Sequence, residues 1–305
     1  MQYSSLIPAE FRSQLLSTAT SSSQLRHLLA NPPPGTYLPG ANTFGLSEFP
    51  QLLSGELTFN VPVYTVWGAC EDVAIVERLR LAAKAPIHVP EDPKASVPPI
   101  VAIGGHRPAT NYSIPNLTVL DEATTRVLLI GGVRLRLFGL GGAVVGHKLF
   151  DNGTGTATIA GGGGTMWTTM LQIGELVDTA AKVYDQSETR LLVSHAAPGR
   201  EGLLAQLALV LKADLTVSGG LHFRYGGSYN EFTVHLDPEA YCAKLEQSRK
   251  AFAEVWEAVR GQVESVVDAN QRVLLDNALA VANRVPTAPV GGTFEESSWK
   301  NCWNW

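Results

Sequence analysis

Acidic residues are almost missing from the front of this 305-residue chain: residues 1–47 contain one, Glu10, and no aspartate precedes Asp72. With Arg12 and Arg26 among many serines, that front faintly resembles an organelle transit sequence, but an ordinary polar lead-in is the reading adopted. Cysteine is equally sparse. Cys70, Cys242 and Cys302 are widely spaced and odd in number, which excludes a disulfide framework and points to reduced thiols inside a cell. No basic excess exists: the net charge is -5, so a broad nucleic-acid-binding surface is disfavoured. An N-terminal apolar core of the signal-peptide type is missing. The most apolar region, Val127 to Val145, carries Arg134, Arg136 and five glycines and is no membrane span. These absences lead us to expect a cytoplasmic protein without membrane partners, a nuclear location remaining open.

What is present is a substantial core: 45% of residues are hydrophobic and 17% charged, the balance of a folded globular chain. Residues 1–48 read as a helical lead-in of two short helices that stops at Pro32-Pro33-Pro34-Gly35. Residues 49–236 read as an α/β core. Inside it, Val63–Trp67 is expected to be a buried strand ending in Gly68-Ala69-Cys70-Glu71-Asp72, with Asp72 capping a helix from Val73 to Ala83. Residues 84–116 carry seven prolines and little periodicity, so they read as a surface insertion in which His106 is solvated. Leu117–Leu120 is a short strand. Arg126–Ile130 and Val133–Leu140 read as a hairpin around Gly131-Gly132, with one wet face carrying Arg134 and Arg136.

A glycine run, Gly161 to Gly164, stands before an expected helix at 165–184. Glycines that open a helix can cradle a phosphate on free amides, but this run lacks the lysine of a P-loop and reads equally well as a mobile loop. Then comes the unit that organises the chain. Two short apolar strands, Leu191–Ser194 and Leu215–Ser218, each lead to a histidine, His195 and His222, with a helix at 200–211 between them. Layered α/β folds build their sites at the carboxyl ends of such strands. Asn230–Leu236 is the last expected strand. Residues 237–285 form a helical region, with a helix at 238–260 and a bend at Gly261, whose apolar positions recur on one face; 238–284 could also serve a protein partner. Residues 286–305 are a linker and a Trp-rich terminus.

Three phrases, taken together in this order, resemble the calcineurin-like metallophosphoesterases, and more closely a divergent fungal branch of that superfamily catalogued as a domain of unknown function. They are Val66-Trp67-Gly68-Ala69-Cys70-Glu71-Asp72, Ser194 to Gly202, and Gly219-Gly220-Leu221-His222-Phe223-Arg224-Tyr225-Gly226. The resemblance spans roughly residues 49–305 and implies a layered sandwich of two mixed sheets flanked by helices. It also implies a two-metal site signed by D-x-H, G-D-x-x-D, G-N-H-[ED], a lone His and G-H-x-H. There the ions lie about 3.5 Å apart and activate a water for attack on phosphorus.

Carried over residue by residue, the resemblance sets Gly68 and Glu71 in the G-N-H-[ED] phrase, with Ala69 in place of the metal-binding Asn and Cys70 in place of the catalytic His. Cys70 and Glu71 are thus the candidate catalytic pair. His195 fits the lone metal histidine and His222 the second histidine of G-H-x-H, whose first is Gly220; Asp72 is a further candidate ligand. Arg200 and Arg224 are candidate phosphate clamps, with a salt bridge as the ordinary alternative for each. For His195 and His222 the alternative is a hydrogen-bonded strand-end histidine. Both aspartate motifs of the signature are missing upstream of Gly68, and the resemblance therefore implies a chain shortened at its front and, from its Trp-rich ending, at its back.

The expected function is that of a metallophosphoesterase-like protein. By ancestry it is a metal-dependent phosphoester hydrolase, here weak or inactive, holding one divalent Mn, Fe or Zn ion or none. Its substrate would be a phosphoester small molecule or a phosphoprotein. The alternative is a non-catalytic ligand-binding or scaffolding module. His195, His222 and Gly68 are expected at one edge.

Overall fold

A computed structural model describes residues 52–53, 55–84, 113–153, 159–219 and 238–286. The lead-in helices, most of the Pro-rich insertion with His106, the strand expected at Asn230–Leu236, His222, Arg224 and the Trp-rich end lie outside the described residues. The described residues form a mixed α/β fold with several sheets and five α-helices.

The chain divides into two compact units, residues 1–61 with 109–116, and residues 62–108 with 117–305. In the described part of the first, Asn116 adopts a left-handed backbone (φ 62) and its side-chain amide donates to the Phe59 carbonyl at 2.7 Å. Asparagine is one of the few residues that takes this conformation readily.

The second unit begins with β1 (Val63–Thr65), which pairs in parallel with β2 (Leu117–Val119). Between them in sequence lies α1 (Val73–Lys84), whose N-cap is the expected Asp72: its Oδ1 accepts from the amides of Ala74 at 2.9 Å and Ile75 at 3.1 Å. The hairpin β3 (Arg126–Ile130) and β4 (Val133–Leu140) has the expected bounds. Its turn needs positive φ at both central residues, and Gly131 (φ 58) and Gly132 (φ 86) supply it without strain.

The expectation of a wet face on β4 needs correction. Val133 and Arg134 are both exposed, and Arg136 is half-buried because its guanidinium is held by Glu188, a residue far along the chain.

The segment expected as one helix over 165–184 is two elements. Gly161–Gly162 (β5) and Thr165–Met166 (β6) pair as a small hairpin, and α2 begins only at Met170 and runs to Lys182. The reason is local. Thr169 and Gln172 form a capping box, each side chain bonding the other's backbone amide, which fixes the helix start there. The glycine run therefore turns a hairpin and does not open a helix.

Next come β7 (Thr189–Ser194), α3 (Gly202–Val210) and β8 (Leu215–Ser218). The main sheet runs β3-β4-β7-β8, with β4, β7 and β8 parallel, and Leu140, Ser194 and Ser218 fall in one row at its carboxyl edge. One face of this sheet buries Phe138, Leu140 and Leu192 against Ile173 and Leu176 of α2 and Leu207 of α3. Each such side chain contributes roughly 1.5–3 kcal/mol by leaving water.

Two further helices, α4 (Pro238–Val266) and α5 (Ala269–Ala282), complete the unit. α5 packs along α2 and adds Leu275, Ala278 and Val281 to the same core. The helix runs through Gly261 as one element to Val266, and the next helix starts after Asp268, which forms a second capping box with Gln271. No helix of the described residues is long and apolar enough to cross a membrane.

Candidate functional site

The parallel strands deliver their carboxyl ends to one edge, and backbone hydrogen bonds stitch those ends together. Past β1, the Trp67 carbonyl accepts from the Gly142 amide at 3.0 Å. Past β4, the Leu140 carbonyl accepts from the His195 amide at 3.1 Å, and past β7 the Ser194 carbonyl accepts from the Gly219 amide at 3.2 Å. The ends of β1, β4, β7 and β8 thus form one continuous rim. The small hairpin joins the same rim: the Met166 amide donates to the Ala69 carbonyl at 2.8 Å, and the Ala143 amide to the Met166 carbonyl at 3.1 Å.

On this rim the loop Gly68-Ala69-Cys70-Glu71-Asp72 follows Trp67, which is bonded to Gly142, and His195 is bonded through its amide to Leu140, two residues earlier. His222, the third residue expected at this edge, lies outside the described residues. Gly68 is buried and Cys70 half-buried and outside any disulfide, while Glu71 and Asp72 are exposed. The Glu71 carboxylate folds back over Gly68, where a β-carbon would meet its Oε1 at 2.7 Å. Asp72 spends Oδ1 on two amides of α1.

His195 is half-buried. Its predecessor Ser194 is buried and donates its hydroxyl to the Ala196 carbonyl at 2.8 Å, which shapes the turn Ala196 to Arg200. Arg200 is exposed and makes no ion pair among the described residues. Glu201, the half-buried residue that precedes α3, has its carboxyl pushed above the usual carboxylate range by burial. Among the described residues, no three His, Cys, Asp or Glu side chains gather closely enough to hold a metal ion.

One group beside the rim escaped the sequence reading. Asp121 and Glu122 follow β2 and are both buried, facing a buried Arg80 from α1. The Arg80 guanidinium reaches Glu122 Oε1 at 3.0 Å, Asp121 Oδ2 at 3.6 Å and Glu77 Oε1 at 3.4 Å. It also lies over the Trp67 ring, 6.0 Å from its centroid. Burial pushes the Glu122 carboxyl up to about 7, against the opposing pull of Arg80. Two adjacent acids directly after an apolar strand were the visible signal, but such pairs ordinarily sit in exposed turns.

A second buried charge lies toward the amino end of β7. Arg190 is 3% exposed, stacked 4.8 Å from the Phe138 ring centroid and 5.2 Å from that of Tyr184. It donates to the Ala180 carbonyl at 3.2 Å, and it belongs to the fabric of the core, away from the rim.

Residues 225–305 match a family described as a protein of unknown function (DUF2433). The matched stretch covers less than half of the chain and takes in α4 and α5, but it begins after Gly68, His195, His222 and Arg224. It therefore bears on the helical region and leaves the rim untouched. No curated protein and no solved structure matches the chain.

Proposed function

We propose that this chain is a metallophosphoesterase-like module with a layered, two-sheet core, whose rim receives a phosphoester or a phosphorylated protein side chain but hydrolyses it weakly or not at all. The observation that carries the reading is the stitched rim. Four strand ends meet there: Trp67, just before Gly68–Asp72, is bonded to Gly142, and His195 is bonded to Leu140. The reading takes these two neighbouring strand ends as the edge on which the two phrases would meet.

The chemistry of the residues supports weak catalysis. A two-metal centre needs a bridging carboxylate and ligands enough for both ions. The residues at the rim do not fit such a centre. Ala69 offers no donor, Glu71 lies over Gly68, and one oxygen of Asp72 is committed to the helix cap. His195, with His222 and one carboxylate, is a set suited to a single loosely held Mn, Fe or Zn ion. Cys70 is a poor substitute for a histidine general acid, and Arg200 and Arg224 are the side chains available to a phosphate.

A non-catalytic scaffolding role is the second reading. Val266, at the end of α4, is 77% exposed and Val273, on α5, 56% exposed, so apolar side chains flank the junction of these helices. Metal titration of the purified chain, followed by calorimetry and elemental analysis, tests the first reading. At most one equivalent should bind, and His195→Ala and His222→Ala should each abolish it. Two bound equivalents, or binding that survives both substitutions, would contradict the assignment.

A further inference from the structure

The main sheet is finished unevenly along β4. At its carboxyl end one face is tightly packed: a β-carbon on Gly139 would fall 2.3 Å from that of Leu120, and one on Gly141 2.3 Å from the Trp67 indole. At the amino end the hairpin is bare. Val127, Leu129, Ile130 and Val133 are all between 44% and 74% exposed. By register Val127 and Leu129 share one face, while Ile130 and Val133 share the other.

β3 is also an open edge. The sheet order ends on it, and among the described residues no strand pairs with its outer side. Ile130 and Val133 flank a two-residue turn and therefore exchange backbone bonds with each other. Alternation then directs the amides and carbonyls of Arg126, Leu128 and Ile130 toward β4, and those of Val127 and Leu129 outward. Proteins ordinarily blunt such an edge with lysine, proline or a bulge. β3 has none of these: its five residues pair with β4 without a break, and its one charge is Arg126, at the start.

We propose that β3 is the contact surface between two copies of this chain, paired antiparallel about a two-fold axis at Leu128. In that register the strand is complementary to itself over its whole length. Val127 stands opposite the partner's Leu129, Arg126 opposite the partner's Ile130, and Leu128 opposite the partner's Leu128. The backbone groups of Val127 and Leu129, which β4 leaves unbonded, are the ones this register brings together. Moving the axis by one residue in either direction leaves part of the strand unpaired. No charge meets its like, because each Arg126 faces an isoleucine. The two arginines lie four residues apart along the ladder, about 13 Å, which is beyond the screening length of physiological salt. This agreement of bond phase, length and charge is what favours a second copy over an unrelated extended peptide, since only self-pairing requires it. No rim residue takes part, so the contact does not depend on what the rim binds.

Sedimentation velocity of the full chain over a concentration series tests this. The chain should dimerise reversibly, with a dissociation constant of about 1–100 µM, the range of a small interface. Leu129→Pro removes an amide that β4 does not use, a position where an edge strand tolerates proline. It should raise that constant about a hundredfold, since symmetry deletes two hydrogen bonds and two apolar contacts at once. Leu129→Lys keeps the amide and places a charge on the contact, so it should weaken the dimer while circular dichroism stays that of wild type. Oxidative cross-linking reads the register. Opposed residues in a non-hydrogen-bonded pair have Cα atoms about 4.5 Å apart, within disulfide reach, so Leu128→Cys should give a covalent dimer that wild type does not. Ile130→Cys, which faces the partner's Arg126, should not. A wild type that stays monomeric at about 100 µM, a dimer that survives both substitutions of Leu129, or equal cross-linking in Leu128→Cys and Ile130→Cys would each overturn the proposal.

Discussion

Gly174 of α2 lies against the backbone of Leu274 in α5: a β-carbon on this glycine would fall 1.8 Å from the Leu274 carbonyl oxygen. The two helices therefore approach as closely as their backbones allow, and the long C-terminal helical region is fastened to the sheet core at this point. Gly174→Ala should force the helices apart and destabilise the chain by about 3 kcal/mol, at the upper end for overpacking, because backbone rather than a flexible side chain must move. Urea unfolding followed by circular dichroism measures it. A loss below about 0.5 kcal/mol, the size of an ordinary surface substitution, would show that the contact is not tight.

Glu122 gives stability its own pH dependence. Burial raises its pKa from 4.5 to about 7, so between those values the native state keeps a proton that the unfolded chain has released. Its contribution is fully present below the unfolded value and is lost as the pH rises through the folded one. The loss amounts to about 3 kcal/mol between acid and mildly alkaline solution. Glu122→Gln should remove this slope while leaving stability near pH 5 within about 1 kcal/mol. Denaturant midpoints across the pH range check both statements.

Glu188 behaves in the opposite sense. Its carboxylate, with no exposed side-chain surface, accepts from Arg134 at 2.7 Å and from Arg136 Nη2 at 2.9 Å. The hydrogen bond from Arg136 is the largest influence holding its pKa below the usual carboxylate value. Its contribution is present above the unfolded pKa and is lost as the pH falls through the folded one. Glu188→Ala should destabilise the chain at neutral pH by about 3 kcal/mol, since it removes the carboxylate from the half-buried Arg136 and leaves it only the Thr125 hydroxyl. The difference from wild type should shrink in acid.

The contrast among these residues shows what the sequence made legible. The hairpin could be read to its bounds because Gly131-Gly132 and a period of two are local signals. The apolar pattern over 165–184 continues across the true helix start because the Thr169–Gln172 capping box stands beside no Gly or Pro breaker. The expected helix end at residue 260 falls short because one glycine in a helix of 29 residues is tolerated, and the Asp268 cap decides where the next helix starts. Arg136 and Glu122 were misjudged or missed because their environments are made by residues dozens of positions away. On the rim, the strand ends and the Asp72 cap could be read from local patterns. That Glu71 folds over Gly68, and that Trp67 rests between Gly141 and Arg80, could not.

Asp72 has two candidate roles that a pair of variants separates. Asp72→Ala removes the cap of α1 and should cost about 1 kcal/mol, whereas Asp72→Ser restores a capping oxygen and should lose no more than a few tenths. If Asp72 also ligates an ion, both variants should weaken metal binding equally, since a serine hydroxyl replaces the cap but not the carboxylate. Thermal unfolding with and without added Mn or Zn distinguishes the two roles.

Turnover is the most direct test of the claim that the rim has kept its architecture but lost most of its chemistry. The purified 305-residue chain, supplied in turn with Mn, Fe and Zn, should hydrolyse a generic aryl phosphate monoester or diester no faster than the metal alone. Robust turnover that disappears in both His195→Ala and His222→Ala would contradict that claim and establish a hydrolase with an unusual ligand set.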